Sequence, residues 1–262
     1  LQRVVAPNPS LMTGPGTNTY LFGEHEVAVL DPGPLIESHL EEIVARAAAP
    51  IRWVMVTHTH PDHSPAAMRL AEITGADLLG RPAPDGPHQD ATFEPDRLLQ
   101  DGARLLIDGR TVEVVHTPGH ASNHICLWHV EMNWLFSGDH VIDGSTVVID
   151  PPDGNMKDYL TSLERLKKMG LDAIAPGHGE VIRDPNRAID WIIDHRLERE
   201  AKVIDALHKH PGCSTIGLVP HVYKDVDKKL YGWAERSLLA HLIKLEDDGV
   251  ATRESGLWLI SA

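Results

Sequence analysis

Apolar positions along the chain recur with two periods, and the first 180 or so residues switch between them repeatedly. Residues 19–31 (TYLFGEHEVAVLD) predict two strands around a short turn at Gly23-Glu24. In residues 37–49 the apolar side chains Leu40, Ile43, Val44 and Ala47 fall at helical spacing, and Pro50 stops that helix. Residues 51–56 are a short apolar run, the pattern of a buried strand. A second helix is expected over residues 64–74, with Gly75 as its C-terminal stop. Between residues 104 and 137 short strands alternate with turns (RLLI, TVEVVH, HICLWHV, WLFS), and Asp108-Gly109 is a hairpin signal. A helix over residues 157–169 ends at Gly170, and a strand follows at 172–175. Residues 82–95, rich in Pro, Asp and Gly, read as a surface loop.

The texture changes at Pro185. Residues 185–209 form one long amphipathic pattern carried by Ile189, Ile192, Ile193, Leu197, Val203 and Leu207. Helices at 214–223 and 227–248 and a hairpin at 249–260 complete the order of a winged-helix unit. Two domains are therefore expected, 1–184 and 185–262. Strands and helices intermix in the first, which predicts an α+β architecture with sheets in the middle and helices outside.

Composition narrows the function classes. The 262 residues carry a net charge of -14. From Pro185 onward 11 Lys/Arg stand against 12 Asp/Glu, so the acidity belongs to the first domain. Nucleic-acid binding usually leaves a basic footprint, and none is visible here. Two cysteines, Cys126 and Cys213, fit a reducing compartment rather than a disulfide framework, so a cytoplasmic location is expected. No apolar run approaches the ~18 residues of a membrane span, and no signal-peptide pattern opens the chain. It begins with Leu1, which leaves open whether a leader was removed.

Histidine is the anomaly, with 17 copies, several of them clustered. The run Thr57-His58-Thr59-His60-Pro61-Asp62-His63 follows a predicted strand. Histidines at i and i+2 on an extended segment point to the same side and can share one metal. Asp62 and His63, beyond the Pro61 turn, can reach a second. Imidazole and carboxylate at these counts suit zinc, with manganese or iron as alternatives. Thr117-Pro118-Gly119-His120, Ser137-Gly138-Asp139-His140 and Pro176-Gly177-His178-Gly179 each place one more such residue after a glycine turn at a strand end.

Together, and in this order, these pieces resemble the five-motif signature of the metallo-beta-lactamase superfamily over about residues 18–180. The resemblance implies a four-layered αβ/βα sandwich with the site at one edge. It implies that His58, His60 and His120 hold one metal, that Asp62, His63 and His178 hold the other, and that Asp139 bridges them. A metal-bound hydroxide would be the nucleophile, with Asp62 as the catalytic residue that orients it or passes its proton on. True beta-lactamases of the commonest zinc subclass carry cysteine where this chain has Asp139; an aspartate there resembles glyoxalase II and ribonuclease Z. Gly16-Thr17-Asn18-Thr19-Tyr20-Leu21, Gly144-Ser145-Thr146-Val147 and the winged helix extend the resemblance to the beta-lactamase-like protein 2 family. Its members include a mitochondrial endoribonuclease and fungal thioesterases acting on carrier-bound polyketides.

The expected function is hydrolysis of a thioester or ester, of a small molecule or a carrier-bound acyl group, with single-stranded RNA cleavage as the alternative and, behind it, a true beta-lactamase or a winged-helix regulator that binds metal. DNA is disfavoured, because the third helix of the winged unit carries Arg236 and Lys244 against Glu235, Glu246, Asp247 and Asp248. That unit is expected to wall the cleft or to form a homodimer interface. His124, four residues after His120, is a candidate either for substrate contact or for a place behind the metal ligands that orients them; His195, on the long helix, is a second candidate substrate contact; a place behind the ligands or a buried hydrogen-bonding role is expected for His140.

Overall fold

The computed structural model describes residues 1–261. One sheet runs in the order β1 (Gln2–Val5), β2 (Asn18–Phe22), β3 (Val27–Leu30), β4 (Ile51–Met55), β5 (Asp77–Gly80) and β6 (Arg97–Leu98). Its first three strands are antiparallel; from β3 to β6 they are parallel, with α1 (Glu37–Arg46) and α2 (Ala66–Thr74) as the crossovers. The second sheet is an antiparallel series of β7 (Arg104–Ile107), β8 (Arg110–His116), β9 (Ile125–His129) and β10 (Trp134–Gly138). Here β11 (Ala173–Pro176) joins parallel to β10, after the crossover helix α3 (Met156–Lys167).

The central strands of both sheets are buried on both faces, and the side-chain period of two sorts their residues into layers. In β3, Val27 and Val29 pack against α1 and α2, while Ala28 and Leu30 join the core between the sheets. In β10, Leu135 packs toward α3 and Phe136 toward the other sheet. The result is the expected four-layered sandwich, helices outside and sheets within.

Asp184 caps the next helix, α4 (Pro185–Lys209), accepting from Arg187 N–H at 3.2 Å, with Pro185 at its first turn. Ile189, Ile192 and Ile193 of α4 complete the core on the outer face of the second sheet. Val203, Ala206 and Leu207, further along, nucleate a separate core with α5 (Thr215–Val222), α6 (Tyr231–Asp247) and the hairpin β12 (Ala251–Glu254) and β13 (Leu257–Ile260), where Trp258 is wholly buried. This is the predicted winged-helix order, hung on a helix that belongs to both cores. A 3-10 turn at Lys228–Leu230 breaks the helix expected over 227–248.

Three strands were not foreseen. β1 has one inward residue, Val4; β6 is two residues long; β5 is a run of four behind α2. None is long enough to show a period. Residues 82–95 are the expected surface loop, with anchors that the sequence did not show. Phe93 is buried, Asp90 N–H donates to Thr59 O at 2.7 Å, and Ser64 Oγ donates to Asp90 at 2.7 Å. The segment lashes down the His58–His63 loop. Among the described residues no helix is long and apolar enough to cross a membrane.

Candidate metal centre

Four strand ends converge at one rim of the sandwich. Asp31, just past β3, organises the first of them. Its carboxylate accepts from Thr57 N–H at 2.7 Å, from Thr57 Oγ1 at 2.8 Å and from His63 Nδ1 at 3.0 Å. The loop after β4 is thereby fixed at its start and at His63. The turns after β8, β10 and β11 bring in His120, Asp139 and His178.

Glycine lets these turns touch. A Cβ on Gly138, whose φ is 47°, would stand 2.5 Å from Thr57 Oγ1 and 2.8 Å from His124 Nε2. On Gly177 it would stand 2.7 Å from Asp139 Oδ1. Any side chain at either position would push a member of the site aside.

Hydrogen bonds outside the cluster decide which way each imidazole faces. Thr57 donates its one hydroxyl proton to Asp31, so toward His58 Nδ1, 3.0 Å away, it can only accept. His120 Nδ1 lies 2.8 Å from Val148 O and His178 Nδ1 lies 3.2 Å from Gly16 O, and carbonyls accept only. With His63 donating to Asp31, four rings carry their proton on Nδ1 and turn the Nε2 lone pair inward.

The lone pairs meet in two groups. His60 Nδ1 lies 3.0 Å from His58 Nε2 and 2.9 Å from His120 Nε2. Asp62 Oδ2 lies 3.4 Å from His63 Nε2 and 3.2 Å from His178 Nε2. Asp139 stands between the groups, with Oδ1 3.3 Å from His63 Nε2 and 3.2 Å from His178 Nε2, and Oδ2 3.7 Å from His120 Nε2. The donors of His58, His60 and His120, and those of Asp62, His63 and His178, each lie within 4.8 Å of one another. Buried His63 Nε2 and Asp139 Oδ1 have no hydrogen-bond partner.

Electrostatics points the same way. Burial, reinforced by the neighbouring His120, lowers His60 to about 3, and burial also lowers His58 and His120. Burial opposes charge on His178 too, but the Asp139 and Asp62 carboxylates outweigh it and lift the ring to about 10. His63 is raised in the same manner. Burial would raise Asp62, yet His63 and His178 hold it down at about 2. Rings whose Nδ1 is committed to partners outside the cluster, and carboxylates strong enough to hold positive charge on His63 and His178, form a site that calls for cations. Two divalent metals fit this donor set.

The seven residues singled out in the sequence thus come together. The two candidate substrate contacts separate. His124 is wholly buried, with Nδ1 2.8 Å from Thr117 Oγ1 and Nε2 accepting from Asp139 N–H at 3.2 Å. Of the two places expected for it, the ring takes the one behind the metal ligands, beneath Asp139 and outside the cavity lining, rather than a contact with substrate. His195 does line the cavity, stacked on Trp191 at 5.8 Å. His140 is buried against Tyr159 at 4.7 Å, and neither ring nitrogen has a hydrogen-bond partner, contrary to the bonding role expected.

Sequence reasoning missed Asp31, whose Asp-Pro-Gly context reads as an ordinary turn. It also missed the shape of the cleft. A cavity of 1270 Å³ opens over the metal-ligand candidates and is walled on its far side by α4 and α6. Leu11, Met12, Leu230 and Trp233 give it an apolar rim, all of them exposed.

Residues 12–178 match the metallo-beta-lactamase superfamily, and residues 214–258 match the beta-lactamase associated winged helix domain. A beta-lactamase-like protein 2 homolog of Caenorhabditis elegans is 32% identical over 251 residues, 93% of this chain and 81% of that protein. An atrochrysone carboxyl ACP thioesterase of Aspergillus fumigatus is 32% identical across 78% of this chain and 64% of its own length. Among solved structures, a metallo-beta-lactamase family protein of Thermus thermophilus superposes with a TM-score of 0.84 at 21% identity, covering 99% of this chain and 98% of its own. The chain belongs to the metallo-beta-lactamase superfamily of hydrolases, in the family of the beta-lactamase-like protein 2 homologs, with their winged-helix domain at its C-terminal end.

Proposed function

We propose that the protein hydrolyses thioesters or esters of small or carrier-bound acyl groups at a dinuclear zinc centre. His58, His60 and His120 would hold one ion and Asp62, His63 and His178 the other, with Asp139 between them. The observation that carries this reading is the pair of lone-pair clusters spanned by the two oxygens of Asp139. Bound there, the metals supply a nucleophile from water at neutral pH and polarise the substrate carbonyl.

The chain's own part is positioning and exclusion. Asp62 Oδ2 accepts from Thr17 Oγ1 at 3.2 Å, and the residue faces the cavity. Held at about 2, Asp62 remains a carboxylate, suited to accepting a hydrogen bond from water and so orienting it. The apolar rim suits an acyl chain or the pantetheine arm of a carrier. A polyanion finds little purchase: of the three arginines along the cavity Arg199 is paired with Asp225 and Arg236 with Asp150, which leaves Arg196 alone, and no lysine lines it. The thioesterase name of the Aspergillus relative supports the acyl reading.

The test is a panel of thioester, lactone, beta-lactam, bis(p-nitrophenyl) phosphate and single-stranded RNA substrates. Thioester turnover should dominate, disappear with chelator, return with zinc or manganese, and be lost with metal in Asp139→Ala. Turnover that survives chelation would sink the metal mechanism; RNA cleavage without thioester cleavage would sink the substrate class.

A further inference from the structure

The cavity has two chemically different walls. Every carboxylate along it comes from the sandwich, whereas the wall supplied by α4 and α6 contributes His195, Arg196, Arg199 and Arg236 and no acid. Two of these cations are already matched. Arg199 forks onto Asp225 at 2.9 and 3.2 Å, and Arg236 meets Asp150 at 2.8 Å. Arg196 is different.

It is only 4% exposed, yet no carboxylate pairs with it among the described residues. One Nη2 proton goes to Val147 O, its guanidinium lies 5.6 Å from the Tyr159 ring centroid, and Nε has no partner at all. Nδ1 of the adjacent His195, enclosed although the residue itself is half-buried, is likewise unpartnered. A buried charge without a counter-ion is expensive, and a guanidinium cannot escape by losing its proton. Such a group is ordinarily satisfied by an anion.

Arg196 is also tied to the metal site by two consecutive carbonyls. Val147 O accepts from Arg196, and Val148 O accepts from His120 Nδ1. With adjacent residues ~3.8 Å apart, that path limits the separation of guanidinium and imidazole to at most about 10 Å. One substrate can span that distance.

We infer that Arg196, assisted by His195, forms an anion subsite at the far wall of the cavity, and that the preferred substrate is an acyl thioester or ester whose acyl chain ends in a carboxylate. This rests on the hydrolase reading above and adds the charge at the chain's far end. The winged-helix domain then acts as a specificity wall.

The experiment compares ω-carboxyacyl thioesters of about four to eight carbons with methyl-ended counterparts of equal length. The expected preference in kcat/KM for the charged member is about ten- to a hundredfold at the best length, the worth of a charge-assisted hydrogen bond. Arg196→Gln should collapse that ratio, whatever it does to turnover overall, and Arg196→Lys should restore part of it. A second readout needs no turnover: glutarate should quench tryptophan fluorescence at lower concentration than butyrate in the metal-loaded protein, and Arg196→Gln should erase the difference. Equal rates for charged and uncharged thioesters would overturn the subsite and leave the hydrolase standing. Loss of all thioester turnover would overturn the hydrolase reading, and the glutarate comparison would still decide the subsite. Equal binding of the two acids in the native protein, or an unchanged advantage in Arg196→Gln, would overturn it.

Discussion

His63 has a carboxylate on each side of its ring: Asp31 holds Nδ1 at 3.0 Å, and Asp139 faces Nε2 at 3.3 Å. The two have different work. Asp139 lies where a metal would bind, while Asp31 never reaches that point and serves as a positioning residue, fixing the tautomer and the start of the loop together. Asp31→Asn keeps the shape and removes the charge that makes Nδ1 the proton-bearing atom. The expected result is a ten- to hundredfold weaker metal affinity, the usual consequence of losing such a partner. Titrating metal back into the stripped protein would show it as a shifted half-saturation, with turnover recovering at high metal. A purely structural role would lower the melting temperature equally with and without metal and leave the half-saturation where it was.

At the scale of elements, α4 decides how separable the two halves are. Its first turns close the core over the second sheet through Ile189, Ile192 and Ile193, and its last turns start the winged-helix core. A chain cut after residue 184 exposes the sheet face those isoleucines cover, at roughly 1.5–3 kcal/mol of lost burial for each. It should be recovered only as aggregate, whereas a chain cut after residue 209 keeps the sandwich covered, bares Val203, Ala206 and Leu207 only at its end, and should still melt cooperatively. Native-like circular dichroism and a cooperative melt from the shorter piece would refute this. The start of α4 was legible because Asp184-Pro185 is a local signal, cap followed by proline. The seven metal-ligand candidates were legible for the same reason: each sits in a short motif at a strand end. What stayed hidden depends on residues far apart in sequence. Arg196 on α4 meets Val147, the Asp90 loop binds Thr59, and the rim joins Leu11 to Trp233; no local pattern announces any of these meetings. His124 shows the converse. Its spacing from His120 was visible, but only the packing reveals that the ring lies under Asp139.

For the whole molecule, the joint between the two cores sets a limit on acid stability. His241 of α6 is wholly buried against α4, with Glu200 3.6 Å from Nδ1 and neither ring nitrogen hydrogen-bonded. Burial, with Arg196 and Lys244 adding to it, outweighs Glu200 and lowers the ring to about 4. An unfolded histidine titrates near 6.5, so between about 6.5 and 4 the unfolded chain takes up a proton that the folded chain refuses. Stability from this residue is complete above that window and declines as pH falls through it. At pH 5 the decline should be about 2 kcal/mol, and below pH 4 about 3 kcal/mol, from one group. The metal ligands would add an acid dependence of their own, so the measurement belongs in chelator. Urea unfolding at pH 7.5 and pH 5, in the native chain and in His241→Leu, isolates the term. The leucine variant removes the titration and keeps an apolar filling, and it should lose about 2 kcal/mol less on acidification. Identical losses in the two proteins would move the acid sensitivity away from this joint.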